Sequence, residues 1–281
     1  MKTIQLAITE FALPAPRTGS IETYSGYGPI PNVGAELHAL VQDQRMFDNP
    51  SYISEKWTAH TFEKDGYKIT VSGRLDGFIP GHPARIEEIK SAYSPQDLLK
   101  ALLASPEHPY RLQARTYAYL HWLHTKEVPE INLHVISART RKGEDFAFEL
   151  EIPDYELWLD RRLSEVIADA KVFEALKKKR KKTAKTFVFP FAEPRQGQID
   201  LMHTVEKNLD GKTAQLIQAP TGLGKTAGVL FPVLREALTR GEKVIYLTPK
   251  NSQHAVAEDA VRRLQETGAK VRGQTIHAKA K

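Results

Sequence analysis

The chain has no cysteine in its 281 residues. That excludes disulfides, thiolate zinc sites and a cysteine-ligated iron–sulfur cluster within it, so a metal held here needs oxygen or nitrogen ligands. Long apolar runs are missing too. None approaches the roughly 20 residues that span a bilayer, and Gln5, Thr9 and Glu10 interrupt the N-terminal MKTIQLAITEFALPAPR before it forms a signal-peptide core. A cytoplasmic protein with no membrane partner is the expectation. A strong excess of one charge is also lacking: 40 lysines and arginines against 34 acids leave a net +6, a mild pull toward an anionic partner such as nucleic acid. What is present is 41% hydrophobic residues, enough to fill the core of one large or two moderate domains.

The spacing of those apolar residues changes along the chain. Residues 34–44, GAELHALVQDQ, put Leu37, Leu40 and Val41 at helical intervals with His38 at the margin of the stripe. Two strand-like runs, GYKITVSG and GRLDGFIP, a PGHP turn and RIEEIKS at 85–91 predict a β-meander. From Pro109 the run PYRLQARTYAYLHWL predicts a helix, followed by strands in INLHVISAR and DFAFELEI. Beyond Asp154, a fitting N-cap, Trp158, Leu159, Val166, Ile167, Ala170, Phe173 and Leu176 form the stripe of a long amphipathic helix. The basic run Lys177 to Lys182 is expected to be a solvated linker. After it AQLIQAP, a Gly-rich loop, a helix, KVIYLTP and another helix predict the βαβα order of a parallel sheet. The organisation is thus α/β, with segments 1–176 and 189–281 joined by a linker at 177–188.

Alternation within RIEEIKS places Ile86, Glu88 and Lys90 on one face and Arg85, Glu87 and Ile89 on the other. In the preceding strand Arg74, Asp76 and Phe78 share a face, so a hairpin through PGHP could bring Asp76 beside Glu88. Two carboxylates this close repel unless one is protonated or a cation lies between them. Asp76, Glu88 and the carbonyl of Ile89 are hard oxygen donors suited to Mg²⁺ or Mn²⁺, His38 could add a nitrogen, and Lys90 could orient an attacking water. Glu87 is left with a solvent-facing or structural role, so that Glu87→Gln should be tolerated. An E-x-K triplet by itself is usually a surface ion pair worth at most about 1 kcal/mol. The ordered set GAELH, GRLDG, EIK and QARTY changes that reading.

That order resembles the RecB-like branch of the PD-(D/E)xK nucleases, whose pattern is a helix histidine, a G-x-x-D strand, a [D/E]-x-K strand and a Q-x-x-x-Y helix. The resemblance covers roughly residues 1–175 and implies a restriction-endonuclease-like core, a mixed sheet flanked by helices, as the fold of residues 1–176. It also implies that His38, Asp76 and Glu88 are metal ligands and Lys90 the catalytic lysine, with Gln113 and Tyr117 supporting the site and contacting DNA. The implied activity is Mg²⁺- or Mn²⁺-dependent DNA cleavage, with an exonuclease favoured over an endonuclease and single-stranded or forked DNA favoured as partner; the sequence leaves exo- versus endonucleolytic cutting and DNA versus RNA open.

The second constellation is APTGLGKT, residues 219–226, between an apolar run and a helical one. Ala219, Pro220, Thr221, Gly222, Leu223 and Gly224 would wrap phosphates, Lys225 would reach the terminal phosphates of ATP, and Thr226 would bind its Mg²⁺. Ala219 stands where the usual pattern has glycine. With EPRQGQIDLM upstream and VIYLTPKNSQH downstream, this region resembles the Q-type motif, motif I and motif Ia of XPD/DinG-type superfamily 2 helicases. The resemblance implies that Gln198 reads adenine, that Lys250, Ser252 and Gln253 face the DNA strand, and that an iron–sulfur cluster could occur only beyond Lys281. No D-E-x-H box follows Thr226, and Glu258 and Asp259 fall in a helical pattern. Residues 189–281 are therefore expected to be the incomplete start of a RecA-like domain, binding nucleotide weakly or not at all as the chain stands, with ATP hydrolysis confined to a longer protein acting in DNA repair or processing. The alternative is a non-cleaving DNA-binding module that positions a helicase or another P-loop ATPase. The sequence assigns no oligomeric state.

Overall fold

The computed structural model describes residues 1–13, 31–211, 214–249 and 252–276. The chain divides into two compact units, Met1–Ala168 and Asp169–Lys281.

The first unit is built on a six-stranded mixed sheet. Its elements in chain order are β1 (Lys2–Ala7), α1 (Ile8–Phe11), α2 (Pro31–Asp48), β2 (Ile53–Lys64), β3 (Tyr67–Ile79), β4 (Arg85–Ala92), α3 (Pro95–Ala104), α4 (Pro109–Thr125), β5 (Glu130–Ser137) and β6 (Gly143–Phe148). The long helix α5 (Ile152–Lys185) follows, and the boundary between the units falls inside it. The two strand-like runs read around Gly73 are one 13-residue strand, β3. β2 and β1, which the sequence reading did not single out, pair with it antiparallel and parallel respectively.

β3 organises the unit. Residues 67–72 pair with both β1 and β2, so these lie on opposite edges; residues 77 and 78 pair with both β2 and β4, which puts β1 and β4 on the same edge. Between them residues 73–76 have no strand on that edge. β5 then runs parallel to β4, and β6 antiparallel to β5. One face of β4 and β5 packs Ala92, Leu133 and Val135 against Leu98 and Leu102 of α3, an amphipathic helix started by Ser94, whose hydroxyl accepts from the Asp97 amide. The other face packs Ile89 and Ile136 under Leu37 and Val41 of α2. Arg162 of α5 is buried and donates to the carbonyls of Phe11 and Glu10 at 2.8 and 3.2 Å, tying α1 to the first half of that helix.

Three readings of this region change. α5 begins at Ile152, so Asp154 lies within its first turn, where a carboxylate complements the helix dipole, and does not cap it. The apolar stripe of α5 is buried at Trp158, Leu159, Val166 and Ile167 but exposed at Phe173 and Leu176. The basic run 177–182 is helix, not open linker: lysine and arginine are good helix formers, and at a C-terminal end their charge suits the dipole.

The second unit contains the rest of α5, α6 (Gln198–Asn208), α7 (Lys225–Arg240) and α8 (Ser252–Glu266). Phe187 stacks on Phe231 at 5.4 Å, and the core adds Met202, Leu238 and Leu264. The expected parallel sheet is not formed among the described residues. Residues 214–220 and 243–249 carry no strand pairing, and Leu216 and Leu247 are exposed at 101% and 86%. A parallel strand draws its partners from segments beyond a crossover, and among the described residues no second strand lies beside either stretch to supply them. Among the described residues no helix is long and apolar enough to cross a membrane.

Candidate active site

The unpartnered stretch of β3 is where the candidate residues meet. Beyond Glu87 the strands β3 and β4 part, and Asp76 Oδ2 accepts from the main-chain amide of Ile89 at 2.7 Å. Its other oxygen, Oδ1, lies 3.7 Å from Nδ1 of His38 on α2. Side chains also meet main-chain carbonyls in this stretch. Gln42 Nε2 donates to the Asp76 carbonyl at 2.9 Å, and the Tyr117 hydroxyl donates to that of Arg74 at 2.6 Å. Gln42 lies one helical turn beyond His38 and is buried, a spacing that could have marked it in the sequence.

Asp76 does not arrive beside Glu88 by simple alternation. Gly73 and Gly77 should share a face, yet a Cβ on Gly73 would lie 2.8 Å from the Tyr117 hydroxyl, on the side of α4. One on Gly77 would lie 2.0 Å from the Tyr52 hydroxyl, on the side of Glu87. The inversion falls at Asp76. There the ladder with β2 skips from Ser54↔Gly77 to Lys56↔Leu75, and the opposing Glu55 has φ +52°. Such a left-handed residue inside a strand re-aims its neighbours.

Glu88 and Lys90 share the face covered by α4, as alternation requires. Lys90 Nζ and Gln113 Nε2 both donate to Glu88 Oε1 at 2.5 Å, while Oε2 is buried and accepts from no protein group. Burial, and then the charge of Asp76, push the Glu88 carboxyl up to about 8 despite Lys90. Asp76 is held below the usual carboxylate range, because His38 and Lys90 outweigh its burial. Lys90 is raised: burial works against its charge, but Glu88 and Asp76 more than offset it. The Tyr110 ring, one turn before Gln113, lies 4.9 Å from Lys90 Nζ; sequence reading missed it, although the i,i+3 spacing was available.

Of the two roles expected for Glu87, solvent-facing or structural, the second fits. It faces away from Lys90, but it is 4% exposed, not solvent-facing. Arg45 Nη2 lies 3.0 Å from its Oε1, Asn132 Nδ2 donates to the same oxygen at 3.0 Å, and the Tyr52 hydroxyl donates to Oε2 at 3.0 Å. With His134 and Asp145 it forms a group whose ligand atoms all lie within 4.8 Å of one another, closer than His38, Asp76 and Glu88 are drawn. Arg45 already bridges Glu87 and Asp145, at 3.0 and 3.3 Å, which makes this group an ion-pair network. Nothing in the local sequence pairs Arg45 with Glu87, 42 residues on.

In the second unit the loop 219–224 leads into α7, with Lys225 as the first helical residue. Gly222 and Gly224 have φ +84° and +80°, and a Cβ on Gly224 would sit 2.5 Å from Gln198 Nε2. Lys225 Nζ donates to the carbonyls of Ala219 and Pro220 at 3.1 and 2.8 Å. Gln198 is buried, with its amide donating to the Gly224 carbonyl at 3.0 Å and its oxygen accepting from the Arg195 amide at 3.0 Å. Arg195 also donates to the Gly222 carbonyl. Thr221, Leu223 and Thr226 stand in or beside the loop, Ser252 and Gln253 open α8, and Lys250 lies outside the described residues.

Fold and sites together define a mixed α/β protein with an acid–lysine pocket in a helix-flanked mixed sheet and a glycine-rich loop at a helix N-terminus. Residues 196–281 match the family model of the DEAD/DEAH box helicases. No curated protein matches the chain. Among solved structures it is similar to an alkaline exonuclease from Laribacter hongkongensis, at 13% identity and a TM-score of 0.37 over 61% of this chain and 92% of that one. It is also similar to SSO0001, at 14% identity and 0.39 over 57% and 75%. A protein from Eubacterium rectale that carries an exonuclease assignment matches at 15% identity and 0.32 over 49% and 52%. Likeness this distant assigns no individual residue.

Proposed function

We propose that this chain is a metal-dependent DNA nuclease, with its catalytic module in residues 1–176, joined through 177–188 to an XPD/DinG-like helicase segment at 189–281. We propose a role in DNA repair or processing. The observation that carries the nuclease reading is Glu88: a carboxylate with one oxygen held by Lys90 and Gln113, the other buried without a hydrogen-bond donor, and Asp76 beside it. A buried acceptor left over next to a second acid fits a divalent cation, and two carboxylates with an imidazole suit Mg²⁺ or Mn²⁺. His38, Asp76, Glu88 and the Ile89 carbonyl would hold it. When bound, such an ion would polarise a phosphoryl oxygen and ease deprotonation of the water that attacks phosphorus.

The chain's own groups supply the rest. Lys90, held against Glu88, orients the attacking water and offsets the charge that grows on the phosphoryl oxygens as the P–O3′ bond breaks. The attacking water bonds to phosphorus and gives up a proton to solvent, and the leaving O3′ takes one from solvent, which gives a 3′-hydroxyl and a 5′-phosphate. Gln113 fixes Glu88, and Tyr117 anchors the β3 main chain beside Asp76. In the second segment Ala219–Thr226 would take the phosphates of ATP and Gln198 the adenine end, while Lys250, Ser252 and Gln253 would face the strand. Incubation with end-labelled single-stranded DNA and Mn²⁺ tests the nuclease. Cleavage should fall at least about 100-fold in Lys90→Ala, and an unchanged rate in that variant refutes the assignment.

A further inference from the structure

One helical turn past Tyr117, α4 and β2 flank an open cavity of about 470 Å³ lined in part by Phe78 and Ile86. Two of its polar groups lack a polar partner. His121 Nε2 is buried and makes no hydrogen bond. Lys56 Nζ sits 3.2 Å above the Phe78 ring and has no carboxylate partner among the described residues. Trp57, another lining residue, is 61% exposed. A partly buried cation without an anion, a buried imidazole nitrogen without a partner and an exposed indole among the lining residues are three separate demands. A nucleotide meets all of them, with a phosphate for Lys56, a base edge for His121 Nε2 and a base face for Trp57.

The cavity also lies in register with the candidate active site. Ile86 precedes Glu88 by two residues on the same face, about 7 Å along the strand at roughly 3.3 Å per residue. Tyr117 lines the cavity and stands one turn after Gln113, which holds Glu88. A strand with its scissile phosphate at Glu88 would bring the neighbouring nucleotide here.

We infer that this cavity is a nucleotide subsite of single-stranded DNA, in which Trp57 stacks on the base next to the scissile phosphate, His121 bonds its edge and Lys56 pairs with its phosphate. The inference rests on the nuclease reading for the register of the strand, but its test does not. Titrating the 281-residue chain with hexathymidylate in EDTA, where metal-dependent cutting is silent, should quench tryptophan emission. Trp57→Phe should lose most of the quench yet bind within about 3-fold of wild type, because phenylalanine still stacks. Trp57→Ala and His121→Ala should each weaken binding by about 10-fold, as loss of one stacked base or one buried hydrogen bond does. A hexamer with abasic residues should bind as weakly as the Trp57→Ala complex. If Trp57→Ala binds hexathymidylate as wild type does, or if wild type binds the abasic strand equally well, the subsite is refuted. A wild-type chain that binds in this pattern but does not cut with Mn²⁺ would refute the nuclease reading and leave the subsite standing.

Discussion

Replacing Glu88 with glutamine separates what this residue does for the fold from what it does for chemistry. Burial and the Asp76 charge disfavour its ionisation and push its carboxyl up to about 8 in the folded unit, against an ordinary 4.5. For an acid shifted upward, stability is fully present below the unfolded value and is lost as pH rises through the folded one. Between pH 6 and 9 this one group should cost the wild type roughly 3 kcal/mol of unfolding free energy. Glutamine keeps an acceptor for Gln113 but has no proton to lose, so that part of the slope should vanish in Glu88→Gln. Mn²⁺ should act in the opposite sense at pH 8, adding about 2.7 kcal/mol to the wild type at 100 times its dissociation constant and little to the variant. Trp57, Trp122 and Trp158 all lie in the first unit, so urea unfolding followed by tryptophan emission reads that unit directly. Identical pH slopes in the two proteins, or equal stabilisation of both by Mn²⁺, would refute the account of a strained acid completed by a cation.

Glu87→Gln should lower unfolding free energy by about 2 kcal/mol, the cost of weakening a buried ion pair discounted because Arg45 is partly exposed and keeps Asp145. Cleavage per folded molecule should be unchanged, and an unmoved urea midpoint would contradict the network. Tyr117→Phe removes the hydrogen bond to the Arg74 carbonyl at a cost of about 1 kcal/mol and should reduce kcat more than it raises KM. A change in KM alone would place Tyr117 in substrate binding instead. Gly224→Ala forces a side chain onto a φ of +80° and against Gln198, and should destabilise the second unit by about 1–3 kcal/mol in circular-dichroism melts. A melting point within error of wild type would show that the loop relaxes freely.

Much of this site was legible because alternation and helix spacing are local rules. They put Glu88 with Lys90 and Glu87 with Ile89, and they put Gln113 and Tyr117 on one face of α4, as found. What stayed hidden is non-local. The burial of Glu87 depends on Arg45, Tyr52, Asn132 and Asp145 converging from α2, β5 and the loops and strands around them, and no pattern within RIEEIKS encodes that. The parallel strands read into residues 214–220 and 243–249 failed for a related reason. Apolar runs state a preference for burial between neighbours, but the neighbours of a parallel strand come from elsewhere in the chain.

The position of Asp76 shows how strain and site coincide. A regular β3 would have kept Gly73, Leu75 and Gly77 on one face and aimed Asp76 with Arg74 away from it. The interruption at Glu55 and Asp76 breaks that phase within a stretch that lacks a strand on one edge. An open main-chain edge is a liability unless its polar groups are met, and here side chains meet them: Gln42 on the Asp76 carbonyl, Tyr117 on that of Arg74, and the Asp76 carboxylate itself on the Ile89 amide. Each contact that closes the edge also fixes a candidate ligand or its neighbour. The left-handed φ at Glu55, costly for a residue with a side chain, is therefore offset by the network it permits. It follows that in urea unfolding Glu55→Gly, which relieves the backbone but removes one acceptor of the Gln42 amide, should cost less than Gln42→Ala, which breaks that contact and also uncovers the Asp76 carbonyl; an equal loss in the two variants would refute the offset.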